Sequence, residues 1–445
     1  MLASAATVRA TDCAEDSGNW YCEAVSLITY TGLDISGSYR QVTNMDSTTG
    51  DCTFSNKTYS GSIAPFDEEL SVHVRGPAQL KQFAVYTPSS SSTKKRQEHK
   101  SHHKRHGHQH LHQKKHEAAR AVGDVVTATI DGTVQTWINT WDGSSDSDAK
   151  VEVAAYEVSS TAKASSTSAA KSSSTKTKTS SASTSTSTSV SGDYTRIAYY
   201  NAEDATADGV TFLGAHGGSG SGVFDNTFGS SLSYLSADGT SGADSSTVLD
   251  NVLVGDNVEY VIMSDVECTS GDADCGYYRD GSVAYQGFAG ADKVFLFEFT
   301  MPATGKTGWN EDMPAIWLLN GKIPRTQQYG DCSCWSADDG TGSGCGEADL
   351  FEVLTTGSTK AKSTFHFSNS LGSSDYFDRP TTDYIKLAAV FQSSTSTASI
   401  KILDSSFDFA TSLTSDNVES CINDEDDGSS LVSSIMDFLT GSSSK

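Results

Sequence analysis

Three carboxylates stand inside one short apolar run, Glu347-Ala-Asp-Leu-Phe-Glu352. Side chains alternate faces along a β-strand, so Glu347 and Asp349 share a face. A regular strand would turn Glu352 away from them. One extra residue near Leu350-Phe351, a β-bulge, restores Glu352 to the shared face. The expected result is a wall of three acids, with Ala348 and one of Leu350 or Phe351 packed behind. Carboxylates held this close repel, and at least one must bind its proton more tightly than usual. A retaining glycosidase needs that inequality: one ionised nucleophile and one protonated acid roughly 5–5.5 Å apart. We assign Glu347 as nucleophile and Glu352 as general acid/base. Asp349 lies between them, where it can hydrogen-bond Glu347 and keep the pair unequal. The plain alternative is an acidic edge strand facing solvent.

Other residues bear on such a cleft. Trp309, Trp317, Tyr329 and Trp335 lie in the stretch leading to the acids. Sugar rings stack on aromatic faces, so these four are candidate substrate contacts. Trp317, within Ala315-Ile-Trp-Leu-Leu319, suits the core at least as well. Arg325 either hydrogen-bonds sugar hydroxyls or pairs with one of the acids. His366 alternates with Phe365 and Phe367. On a strand antiparallel to the acid strand it would reach the acids and tune them.

These motifs resemble glycoside hydrolase family 16. Asp312-Met-Pro-Ala-Ile-Trp-Leu-Leu-Asn320 precedes the acid run, and Ser363-Thr-Phe-His-Phe-Ser368 follows it. The likeness is closer to a fungal subgroup, the "target of SBF" (Tos-one-like) cell-wall proteins. It rests on Arg325-Thr-Gln-Gln-Tyr-Gly330, Cys332-Ser-Cys-Trp335 and Gly344-Cys-Gly-Glu-Ala-Asp-Leu-Phe-Glu352. Trp20-Tyr-Cys22, Gly37-Ser-Tyr39 and Ser71-Val-His-Val-Arg-Gly-Pro77 extend it to the first segment. The resemblance implies a secreted cell-wall protein whose partner is wall β-1,3-glucan. The expected activity is a retaining endo-acting hydrolysis of that glucan in wall remodelling; transglycosylation to a sugar acceptor and glucan binding without catalysis are the alternatives.

The 445 residues carry a net charge of −25. Nucleic acid is therefore an unsuitable partner, because phosphate binding needs a basic surface. No stretch is long and apolar enough to span a membrane, and no cofactor or catalytic metal is indicated. We expect a monomer. Gly217-Gly-Ser-Gly-Ser-Gly222 lacks the lysine of a phosphate loop and the context of a nucleophile elbow. The nine cysteines form no C-x-x-C pair, so a disulfide framework is the better reading. Cys13, Cys22 and Cys52 make an odd set; one is free or pairs elsewhere. The six from Cys268 to Cys421 could close three bridges, with Cys268–Cys275 a local closure.

The expected architecture is all-β. A catalytic sandwich or jelly roll spans residues 193–425, built from short strands such as Val294-Phe-Leu-Phe-Glu-Phe-Thr300. A smaller Cys-containing β-rich module occupies 11–88, and 121–157 completes it with a hairpin turning at Asp131-Gly132. Residues 1–10 read as a leader remnant. A linker at 89–120 carries dibasic pairs and eight of the chain's histidines; it is solvated, or binds divalent metal. The Ser/Thr-rich segment 158–192 cannot bury enough surface to fold and reads as a glycosylated stalk. Residues 426–445 read as a polar tail, weakly helical from Leu431 to Leu439.

Overall fold

In the computed structural model, residues 13–89 and 193–439 are described, apart from short gaps at 47–48, 217–223, 226–228, 231, 270–274, 280, 336–343, 368–369 and 424–431. The strands Val125–Ile130, Thr133–Ile138 and Ser442–Ser444 are described as well. The leader remnant, the His-rich linker, the turn at Asp131-Gly132 and the Ser/Thr stalk fall outside the described residues. The chain divides into two units, 94–190 and the remainder. Within the first, Val125–Ile130 pairs antiparallel with Thr133–Ile138.

The remainder is a sandwich of two ten-stranded sheets. One sheet runs through Tyr194–Asn201, Gln79–Pro88, Lys293–Thr300, Ile385–Gln392, Thr397–Leu403, Val25–Thr31 and Val432–Asp437. The other runs through Thr211–Gly214, Glu259–Met263, Leu70–Arg75, Ala315–Asn320, Glu347–Glu352 and Lys360–His366. We call this second layer the acid sheet. Alternate residues of each sheet face inward and close one core, including Val72, Val74, Phe83, Phe295, Phe297, Ile316, Leu318, Ala348, Phe351 and Phe365. Every residue of Lys293–Thr300 is buried. The back of that strand is covered by the segment ending in Phe409, Leu413, Val418 and Cys421, so its continuous apolar run fits a strand with both faces covered.

Two expectations about domain limits are corrected. Residues 11–88 are not a module of their own: Leu70–Arg75 is a central strand of the acid sheet, and Gln79–Pro88 is central to the other. Each is hydrogen-bonded on both sides by strands from beyond residue 190. Strand pairing leaves no mark in local composition, whereas the linkers that follow do. The C-terminal stretch is a strand and not a weak helix. Val432–Asp437 pairs in parallel with Val25–Thr31. Ser434, Met436 and Phe438 point inward while Ile435 and Leu439 are exposed, a period of two.

The disulfides follow the same topology. Cys13–Cys22, Cys268–Cys275 and Cys334–Cys345 are local, and Cys52–Cys332 joins the two halves of the sequence. The later six cysteines therefore close two bridges among themselves and not three. Cys332 is taken by the odd cysteine of the first set, and Cys421 is left free and buried.

Candidate active site

The acid strand enters through Gly344-Cys-Gly346. Gly344 and Gly346 adopt φ of +48° and +105°, a region that favours glycine. A Cβ on Gly344 would lie 2.1 Å from the Cys334 carbonyl oxygen. This turn, closed by Cys334–Cys345, delivers Glu347 to the outer face of the sheet.

The bulge lies where the alternation requires it. Trp317 pairs with Asp349 and Ile316 with Phe351, which leaves Leu350 as the extra residue. The opposite neighbour shows the same shift between Asp349 and Glu352. Leu350 and Phe351 are both fully buried, so both pack behind the acids. Cross-strand partners share a face, and the register therefore sets three outer-face rows. The first holds His366, Glu347, Leu319 and Ser71; the second Thr364, Asp349, Trp317, His73 and Val261; the third Lys362, Glu352, Ala315, Arg75 and Glu259.

Each acid meets a different environment. Glu347 Oε2 accepts a 2.6 Å hydrogen bond from Trp335 Nε1. Burial, and then repulsion by Asp349, push its carboxyl up to about 8, against opposing pulls from His366 and Trp335. Asp349 is only 7% exposed, and its Oδ2 lies 3.1 Å from His366 Nε2. Burial and then Glu352 drive the Asp349 carboxyl well above its ordinary range, against the attraction of Arg75. Glu352 Oε1 lies 3.2 Å from Arg75 Nη2. Ala315 stands between those two in the row, and its small side chain leaves the guanidinium room to reach across.

A second polar group supports the row. His73 is fully buried, with Nε2 2.9 Å from Ser71 Oγ and Nδ1 3.0 Å from Glu259 Oε1. Its ring stacks on Trp317 at 5.1 Å. Glu259 also accepts from Gln328 Nε2 at 2.7 Å and from the Tyr329 hydroxyl at 2.6 Å. Burial alone would raise Glu259, but hydrogen bonds led by His73 outweigh it and hold the carboxyl below its usual range. Ser71, His73 and Glu259 have the order of a Ser-His-acid triad. The Ser71 hydroxyl is sealed and donates to the Leu319 carbonyl at 3.2 Å, so it is not presented to a substrate.

Beside Glu347 opens a cavity of about 390 Å³, lined by Trp317, Leu319, Ile323, Gln328, Tyr329, Ser333 and Trp335 among others. Its volume and its aromatic walls with few polar groups suit a small-molecule or sugar site. Tyr329 and Trp335 ride on a loop pinned by Cys52–Cys332 and Cys334–Cys345. Tyr329 remains 64% exposed.

The structure thus brings Glu347, Asp349, Glu352, Trp317, Tyr329, Trp335 and His366 together, and leaves two expected residues out. Arg325 is 1% exposed and pairs with none of the three acids. Its Nη1 lies 2.5 Å from Glu69 Oε2 and 3.0 Å from the Tyr285 carbonyl oxygen. It sits on the short helix Lys322–Thr326, whose residues are all buried, and a buried guanidinium requires a buried partner. Trp309 is 85% exposed on a loop and does not line the cavity. Arg75, His73 and Glu259 escaped the sequence reading. The alternation in Ser71-Val-His-Val-Arg75 placed polar residues on one face; what that face met was not visible. Among the described residues, no group of three or more His, Cys, Asp or Glu could hold a metal ion.

Two family profiles match the chain. "Cell wall protein YJL171C/Tos1, C-terminal" matches residues 192–421, and the N-terminal counterpart matches 26–88. The chain belongs to the YJL171C/Tos1 family of cell wall proteins. It is 42% identical over 429 residues to "Probable circularly permuted 1,3-beta-glucanase TOS1" of Saccharomyces cerevisiae, covering 92% of each chain. A protein of the same description from Candida albicans is 39% identical, covering 88% of this chain and 90% of its own. "Probable circularly permuted 1,3-beta-glucanase" of Arthroderma benhamiae is 41% identical over 92% of this chain and 91% of its own. No solved structure matches. Among the described residues no helix is long and apolar enough to cross a membrane.

Proposed function

We propose that this chain is a retaining endo-β-1,3-glucanase that remodels the fungal wall. The observation that carries the reading is the bulge, which sets Glu347, Asp349 and Glu352 on one face of the strand beside an aromatic cavity. The linkage is suggested by the names of the relatives. Glu352 protonates the leaving glycosidic oxygen while a Glu347 oxygen attacks the anomeric carbon. The C–O bond to the leaving sugar breaks as a glycosyl ester forms. Glu352 then takes a proton from water, which attacks that ester and frees Glu347.

The mutual repulsion of the three acids bears on these roles. Burial and a charged Asp349 raise Glu347 to about 8, which is awkward for a nucleophile. Asp349, the more deeply buried, is the better holder of a shared proton. Once Asp349 is neutral, its repulsion of Glu347 ends, and the Trp335 N–H favours an ionised Glu347. Asp349 is then a proton reservoir between the two glutamates, and His366 orients it.

Product analysis on reduced laminari-oligosaccharides tests the reading, with wild type beside Glu347→Gln and Glu352→Gln. Shorter products from wild type alone are expected. Longer products would replace hydrolysis with transglycosylation. Unchanged oligomers, with glucan still bound, would make the protein a glucan-binding wall component.

A further inference from the structure

The cavity and its aromatics lie on one side of the acid strand, toward Ala315–Asn320. A polymer crossing the acid strand must continue over Lys360–His366, the neighbour on the other side. A small hairpin, Ala14–Asp16 with Asn19–Tyr21, stands there, closed by Cys13–Cys22. Lys362, the cross-strand partner of Glu352, donates from Nζ to the Trp20 carbonyl oxygen at 3.0 Å. Neighbouring strands lie about 5 Å apart, so the hairpin sits next to the acid strand at Glu352.

One face of the hairpin is spent on anchoring. Tyr21 is buried against Tyr376 and lies within 5.1 and 5.3 Å of the Lys360 and Lys362 ammonium groups. Trp20 alternates to the other face and stays 54% exposed. An indole that contributes little to the core, on a disulfide-closed and anchored hairpin, is held ready to bind at small entropic cost.

We propose that Trp20 is a sugar-stacking platform for the distal part of a glucan chain, on the far side of the acids from Tyr329 and Trp335. The proposal rests on the glucanase reading and adds to it a preference for long chains. The test is the chain-length dependence of kcat/KM on laminari-oligosaccharides for wild type, Trp20→Ala and Trp20→Tyr. Wild-type kcat/KM should climb with length. Trp20→Ala should lose roughly five- to tenfold on long oligomers, the scale of one lost stacking contact, and nothing on the shortest oligomer turned over. Trp20→Tyr should restore most of the climb, and both variants should melt with wild type. A Trp20→Ala profile parallel to wild type, whether equal or uniformly lower, overturns the platform and leaves the glucanase reading standing. A wild type that turns over no laminari-oligosaccharide overturns both.

Discussion

The acid strand and the strand Leu70–Arg75 are each six residues long, lie on either side of Ala315–Asn320, and turn three polar side chains to the same face. They differ in how their charges are met. Ser71, His73 and Arg75 are all paired, to Leu319, Glu259 and Glu352 respectively. Glu347, Asp349 and Glu352 repel one another, and the first two are pushed above the ordinary carboxylate range. Strain in protonation is concentrated on one strand, and a neighbour two places away supplies the counter-charge. Perturbed groups in a cleft point to chemistry, whereas satisfied ones point to support.

The sharpest way to break this comparison is to remove the acids. Glu347→Gln and Glu352→Gln should each cut turnover by about 10³-fold or more. Alanine at each position, assayed with azide, separates the roles. Azide attacking the sugar directly in Glu347→Ala gives inverted product. In Glu352→Ala it attacks the glycosyl ester and gives retained product. The opposite pattern would exchange our two assignments.

Arg75→Gln comes next. Losing the guanidinium removes an attraction that opposes the rise of Asp349, so the Asp349 carboxyl should move further up. Turnover should fall roughly tenfold through the lost contact to Glu352, about 1.4 kcal/mol. A wild-type rate would mean that the supporting strand is only scaffold.

Trp335→Phe is a milder change. It deletes the N–H that lowers Glu347, so the acidic limb of kcat, where the nucleophile becomes protonated, should shift upward with a loss of a few-fold. An unmoved limb would detach that limb from Glu347.

The smallest effect is on stability, and its sign is opposite. A carboxyl raised in the folded state costs stability as pH climbs from its unfolded value through about 8. Glu347→Gln should therefore match wild type at low pH and gain about 3 °C in Tm by pH 8. Equal melting at every pH would show that Glu347 is not destabilised in the folded chain.

Some of this was legible in residue order because the physics is local. Alternation placed Glu347 and Asp349 together, and the demand for a third acid put a bulge near Leu350-Phe351, which the register assigns to Leu350. Short apolar runs between turn residues specified an all-β chain, and the spacing of Cys268 and Cys275 allowed their bridge. His366 could be aimed at the acids once antiparallel pairing was assumed, and it meets Asp349. Tertiary structure decided the rest, because strand pairing depends on partners far away in sequence. Only the register shows Arg75 reaching Glu352, 277 positions distant, past a small Ala315. Only burial shows that Arg325 is spent on Glu69. Cys52 found Cys332 by the same route, and the segment read as a separate module proved to be the middle of both sheets. Side-chain alternation is written every two residues; which strand lies alongside is settled when the whole core closes.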